Sequence, residues 1–268
     1  MERLTRERER LHLADAAVVL GVPALLVAVY ALPAPVKRSL TFDYVDPTVA
    51  TALASHFVHF APGHLFGNAA GYLLAAPVGL ALCALAGYRR LFYVASITYL
   101  GCFPFALSAL NLAVPRTAVG YGFSGVVMAF VGFAPVAVCL YTGGERAVVR
   151  GAPALFFLSL VPIGVLGAPR AEGAVVGAGL LAGVYGVSLH RRRLLPTRSG
   201  VRSLLGRGGH AELVAVGTAL PLLYPFVGFA PRVGATVPNL YAHLLGYCLG
   251  FVVPYAFVAW FRSSGRGR

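Results

Sequence analysis

The chain has 268 residues, of which 58% are hydrophobic and 12% charged, and its mean hydropathy is +0.77. That balance makes apolar blocks of membrane-spanning length, about 17–25 residues, the first expectation. The net charge of +13 does not point to nucleic acid, because the basic residues fall in short clusters between apolar blocks, as on the cytoplasmic face of a polytopic membrane protein.

Eight apolar blocks follow one another, over residues 14–32, 64–86, 91–114, 121–141, 152–168, 173–189, 211–230 and 238–261. The fifth and sixth are at the short end for a span and are joined by the brief turn Pro169-Arg170-Ala171-Glu172. The pattern predicts one all-α, multi-pass domain embedded in a membrane over residues 1–268. It would comprise a cytoplasmic N-terminus (1–13), a helical bundle (14–261) and a cytoplasmic tail (262–268). No small-residue cleavage site evidently follows the first apolar run, which reads as a retained anchor. Starting inside, this scheme puts 17 of the 22 Lys and Arg residues on the cytoplasmic side, as the positive-inside tendency requires. The loop over 33–63 is then outside, lying partly in the interface, and the Gly/Arg/Ser-rich loop over 190–210 is inside, resting on anionic headgroups. Cys83, Cys102, Cys139 and Cys248 all fall in apolar segments at no motif spacing and read as small packing residues.

Depth is the informative property of the polar residues. Ser124 stands in Gly122-Phe123-Ser124-Gly125 about one turn from the outer end of its span. His64 and Asn68 enter from outside, and His243, in Ala242-His243-Leu244-Leu245-Gly246, lies near the outer end of the last span. Four polar groups at one depth favour a site over interhelical hydrogen-bond glue, since ionisable groups in a membrane are costly. His64 and Asn68 are four apart and share a helix face. Ser124 follows a glycine at a helix start, where N–H groups lack intrahelical partners and can donate to an anion. Gly246 and Gly250, also four apart, permit close approach of two helices.

Other chemistries fit less well. Val126 occupies the place of the second glycine of the Gly-x-Ser-x-Gly elbow of soluble hydrolases. His56, His59 and His64 invite a zinc reading, but there is no His-Glu-x-x-His and no acidic residue near them, so no metal or other cofactor is expected. No phosphate-binding glycine loop occurs. Asp43, Asp46, Glu145, Glu172 and Glu212 sit in loops or at helix ends, against a proton-relay transporter.

Taken together, His59…His64…Asn68, Gly122-Phe123-Ser124-Gly125 and Ala242-His243…Gly246…Gly250 resemble the rhomboid family of intramembrane serine proteases. The family pattern is His-x-x-x-x-His-x-x-x-Asn entering the second helix, Gly-x-Ser-Gly opening the fourth, and Ala-His-x-x-Gly-x-x-x-Gly on the last. The resemblance covers roughly residues 14–141 and 238–261 and implies a six-helix core within about eight transmembrane helices. It implies Ser124 as nucleophile and His243 as base, with His64, Asn68 and the Ser124 N–H as the oxyanion hole. Gly122, Gly125, His59, Gly246 and Gly250 would support them. The implied activity is endoproteolysis of transmembrane protein substrates near the outer leaflet of the cell membrane, with no cofactor. The alternative is a catalytically inactive relative that binds membrane proteins and affects their stability or trafficking. Neither reading fixes an oligomeric state. The chain departs from the family in three places. Three spans rather than one separate the serine and histidine helices, which implies an inserted helical pair. Met128 stands where many bacterial members have a tyrosine stacked on the histidine, and the first outer loop lacks the Trp-Arg pair of many members.

Overall fold

A computed structural model describes residues 12–114, 116–167, 184, 208–228 and 239–264. Among the described residues, six helices are long and apolar enough to cross a membrane: Leu13–Tyr30, Pro62–Ala86, Arg89–Asn111, Ser124–Ile163, His210–Gly228 and Leu240–Ser263. The chain is an all-α polytopic membrane protein. A two-residue antiparallel ladder, β1 (Phe42–Asp43) against β2 (Val119–Gly120), is the one strand pairing among the described residues.

In order, the helices are α1 (Leu13–Tyr30), α2 (Ala34–Ser39), α3 (Val49–Ala54), α4 (Pro62–Ala86), α5 (Arg89–Ile97), α6 (Phe103–Asn111), α7 (Ser124–Gly167), α8 (His210–Leu223), α9 (Pro225–Gly228) and α10 (Leu240–Ser263). A π-turn, Thr98–Cys102, joins α5 to α6 into one long helix. The loop over 33–63 is more ordered than its sequence suggests, since it holds α2, β1, α3 and the 3-10 turn Ser55–Phe57. The expected span over 173–189 and the basic loop over 190–210 lie outside the described residues, except for Val184 and residues 208–210.

The molecule is built around α7. Up to Tyr141 this helix is apolar on every face, which suits a helix surrounded by others. In its most apolar window 89% of residues are buried, against 17% in α1. A straight helix of its length would reach about 60 Å, twice the hydrocarbon core of about 30 Å. Gly143 and Gly144 break it, with Gly144 at φ 65°, ψ −162°, a conformation open only to glycine at low cost. The chain turns back there, so that Gly151 faces Cys139 across the two arms, with 3.4 Å between the Cβ position and Sγ. Residues 145–151, expected in a connecting loop, therefore belong to the second arm.

α10 packs along both arms. On the first arm, Cβ positions at Gly246 and Gly250 fall 2.9 Å from the Gly125 carbonyl carbon and 2.5 Å from the Ala129 Cα, so only glycine lets the two backbones come this close. On the second arm, Phe156 stacks on Tyr247 and Phe251, at centroid distances of 5.4 and 4.1 Å, and Ser159 hydrogen-bonds the Tyr247 hydroxyl. Pro254 has no N–H to offer the Gly250 carbonyl within α10. The Tyr99 hydroxyl, from the π-turn, donates to that carbonyl at 2.7 Å instead.

One buried acid escaped the sequence reading. Asp15 is 2% exposed. It accepts from Arg89 Nη1 at 2.5 Å, the Tyr93 hydroxyl at 2.6 Å and the His12 N–H at 2.8 Å, tying α1 to α5. Its cost of burial is offset by this full set of donors.

Candidate active site

Ser124 is the first residue of α7, not one turn inside it as expected. Gly122 causes the difference. Its φ of 111° lies outside the helical region and in territory that favours glycine. A Cβ there would also sit 2.7 Å from His64 Cε1. The segment before Ser124 is held by the loop over 33–63 and by α4: the Gly122 N–H donates to the Ser55 carbonyl at 2.9 Å, and the Phe123 ring is buried between Phe57 and Tyr72, at 5.6 and 5.9 Å. Helix starts leave N–H groups without partners. Among the described residues the N–H groups of Ser124 and Gly125 have no acceptor.

His243 comes from the first turn of α10. Asn239 caps that helix by accepting the Ala242 N–H at 3.0 Å, and it donates to Asn111 Oδ1 at 2.8 Å. Arg116 also donates to Asn111 Oδ1 and lies 4.1 Å over the Tyr44 ring, so residues from three parts of the chain set the height of this turn. His243 is 5% exposed. Its Nε2 lies 2.6 Å from Ser124 Oγ, and its Nδ1 lies 2.5 Å from the Gly228 carbonyl oxygen. A carbonyl only accepts, so in the neutral ring Nδ1 carries the proton. Nε2 is then the acceptor that faces the serine hydroxyl.

The third group surrounds His59, which is fully buried. Its Nδ1–H donates to the Phe57 carbonyl at 3.2 Å, and its Nε2 accepts from Asn68 Nδ2 at 2.8 Å. The Phe123 N–H approaches the same Nε2 at 3.5 Å. Burial, reinforced by the charges of His64 and Lys37, pushes the His59 imidazole down to about 4, so the ring is neutral. Asn68 spends one of its two N–H donors on His59 and keeps the other. His64 stands edge-on to His59 at 4.9 Å, covers Gly122 and is within electrostatic range of His243. His56 points elsewhere, with Nε2 3.1 Å from Ser108 Oγ. Among the described residues, no three His, Cys, Asp or Glu side chains converge as metal ligands.

The geometry thus brings Ser124 to His243, His64 to Gly122 beside the serine, Asn68 to His59, and Gly125 to Gly246. Gly250 sits one turn deeper, against Ala129. The sequence reading missed the Gly228 carbonyl, which has no side chain to signal it. It also missed Tyr224, whose ring lies 3.6 Å from a Cβ position at Gly228. Met128 is fully buried, with Sδ 3.0 Å from that same position, so it packs against α9. Chemically, the arrangement offers a hydroxyl with an acceptor already on its proton, next to unpaired backbone N–H groups and amide and imidazole donors. Set against protein-family models, curated proteins and solved structures, the chain matches none.

Proposed function

We propose that this protein is an intramembrane serine endopeptidase of the rhomboid type, acting through a Ser124–His243 dyad on transmembrane segments of membrane proteins. The observation that carries the reading is the 2.6 Å contact between Ser124 Oγ and His243 Nε2, made between two helices whose facing glycines allow it. In this mechanism Nε2 takes the hydroxyl proton as Oγ bonds to the substrate carbonyl carbon. The negative charge forms on the substrate oxygen, where the Ser124 N–H, Asn68 and His64 are the donors proposed to hold it. Collapse of the intermediate breaks the C–N bond, and the departing amine takes the proton from Nε2. Water then repeats the sequence on the acyl ester and frees Ser124. Among the described residues no carboxylate is bonded to His243, and a scheme without one calls for a slower enzyme than a soluble triad.

The same reading places the protein in the cell membrane with eight spans and both termini inside, the site opening toward the outer leaflet. Its substrates must offer an extended backbone there, which favours helices with small or helix-breaking residues near their outer end. The test is covalent labelling of the purified protein by a serine-directed fluorophosphonate, with the adduct mapped by mass spectrometry. The adduct belongs on Ser124 and disappears in Ser124→Ala and in His243→Ala. An unlabelled wild type would instead favour an inactive relative that binds membrane proteins.

A further inference from the structure

We propose that α8 and α9 are a working part of this site: the Gly228 carbonyl is the group that fixes the tautomer and aim of His243, and Tyr224 is the strut that holds that carbonyl in place. The inference rests on the dyad reading and adds a third member to it, supplied by the backbone. In a serine–histidine pair the ring must keep its proton on Nδ1 and present the Nε2 lone pair to the hydroxyl, and soluble triads assign that task to a carboxylate. Here the acceptor 2.5 Å from Nδ1 is a neutral carbonyl, which can orient the ring without adding charge in an apolar setting.

That carbonyl sits at the end of a firmly seated turn. The Val227 and Gly228 N–H groups both donate to the Tyr224 carbonyl at 2.9 Å, and the Tyr224 N–H donates to Leu220 at 2.9 Å, so α9 continues rigidly from α8. The Tyr224 side chain reaches across to α4. Its hydroxyl occupies the space that a Cβ at Gly71 would need, with Val127 Cγ1 2.9 Å from the same point. Gly71 lies one turn past Asn68, and Val127 one turn past Ser124, so the phenol is wedged between the helices that carry the oxyanion donor and the nucleophile. On its other side Gly228 meets Met128 Sδ, with 3.0 Å to its Cβ position. The turn that holds His243 is therefore clamped by α4 and α7, the two helices it must stay in register with. His243 depends on α9 for its second hydrogen bond.

The test uses the full-length chain. An amide-to-ester replacement at Phe229 turns the Gly228 carbonyl into a weaker acceptor and alters no side chain. Tyr224→Ala removes the strut, and Tyr224→Phe keeps its ring. Nitrogen-15 histidine NMR, assigned with His243→Ala, reads the tautomer and the Nδ1–H proton. Fluorophosphonate kinetics separate the maximal inactivation rate from the half-saturating concentration. The expected result is an Nδ1–H tautomer with a strongly downfield proton that moves upfield in the ester. The maximal rate falls about tenfold in the ester, at unchanged half-saturation, as loss of one hydrogen bond predicts. Tyr224→Ala behaves likewise and Tyr224→Phe stays near wild type. An Nε2–H tautomer in the wild type, or a proton resonance indifferent to the ester, overturns the proposal. A wild type that shows the ester-sensitive Nδ1–H proton but takes no label upholds the positioning of His243 and defeats the protease reading instead.

Discussion

Replacing Gly246 by alanine sets a methyl group against backbone, where nothing flexible can yield. The new Cβ lies 2.9 Å from the Gly125 carbonyl carbon and 3.3 Å from its Cα, and the carbonyl oxygen is nearer still. Restoring an ordinary carbon–carbon separation of about 3.5–4.0 Å moves α10 away from α7 by at least roughly 0.6–1.1 Å, and relieving the nearer carbonyl oxygen asks for more. His243 is three residues before Gly246 on the same helix and Ser124 is adjacent to Gly125, so the displacement passes almost whole into the dyad. The contact, 2.6 Å in the native protein, opens to at least roughly 3.2–3.7 Å, at or beyond the reach of a hydrogen bond. Misplacement on this scale costs on the order of 10² in rate. The overpacking itself costs about 1–3 kcal/mol, which leaves the protein folded. The assay is the rate of fluorophosphonate labelling, read beside thermal unfolding in detergent. Gly67→Ala serves as control, because nothing lies within 4 Å of a Cβ there. Labelling of Gly246→Ala at the wild-type rate would mean that the glycine contact does not set the dyad distance.

Asn68→Ala should leave Ser124 able to react but slow labelling by about 10²–10³, the loss typical of one oxyanion donor. His59→Ala should produce a similar loss, and the double variant no further one, because His59 acts by aiming the Asn68 amide; additive losses would separate the two. His59 also predicts a pH response. Its folded value of about 4 lies below the ordinary 6.5, so the unfolded chain binds the extra proton and stability falls as pH drops from about 6.5 to 4. Thermal melts should show wild type losing more stability across that window than His59→Gln, and parallel curves would refute it. Asp15→Asn leaves Arg89 without its carboxylate in a largely buried position and should destabilise by about 3 kcal/mol in denaturant titrations, with labelling of the folded protein unchanged.

Much of this arrangement is legible in the sequence because side chains announce it. Ser124, His243, His64 and Asn68 are polar groups at one depth in apolar segments, and depth alone predicts that they meet. Gly246 and Gly250 carry the close helix approach for the same reason, since a four-residue glycine spacing has few other uses in a buried helix. What stays hidden is supplied by backbone or by distant partners. The Gly228 carbonyl has no residue-type signature. Asp15 is a lone acid in an apolar run, whose partner lies 74 residues further on. A reversal between the blocks over 121–141 and 152–168 is expected from the sequence, but not its position at Gly143-Gly144, because the run of basic and acidic residues after these glycines resembles a loop, although consecutive glycines after a span are the stronger signal. The position of Ser124 at the very start of α7 follows from one positive φ, which a reading of hydrophobic blocks does not resolve.

The bond from Tyr99 to Gly250 has a mechanical consequence. A helix whose own ladder lapses at a proline is free to bend there unless something outside it closes the gap, and in α10 the gap is closed by a neighbour. The outer segment that carries His243 is thereby a short arm mounted on a pivot, and the stiffness of that pivot resides in a phenol of another helix. Whatever moves the π-turn against α10 changes how far the arm can swing, and so shifts His243 from the middle of the bundle.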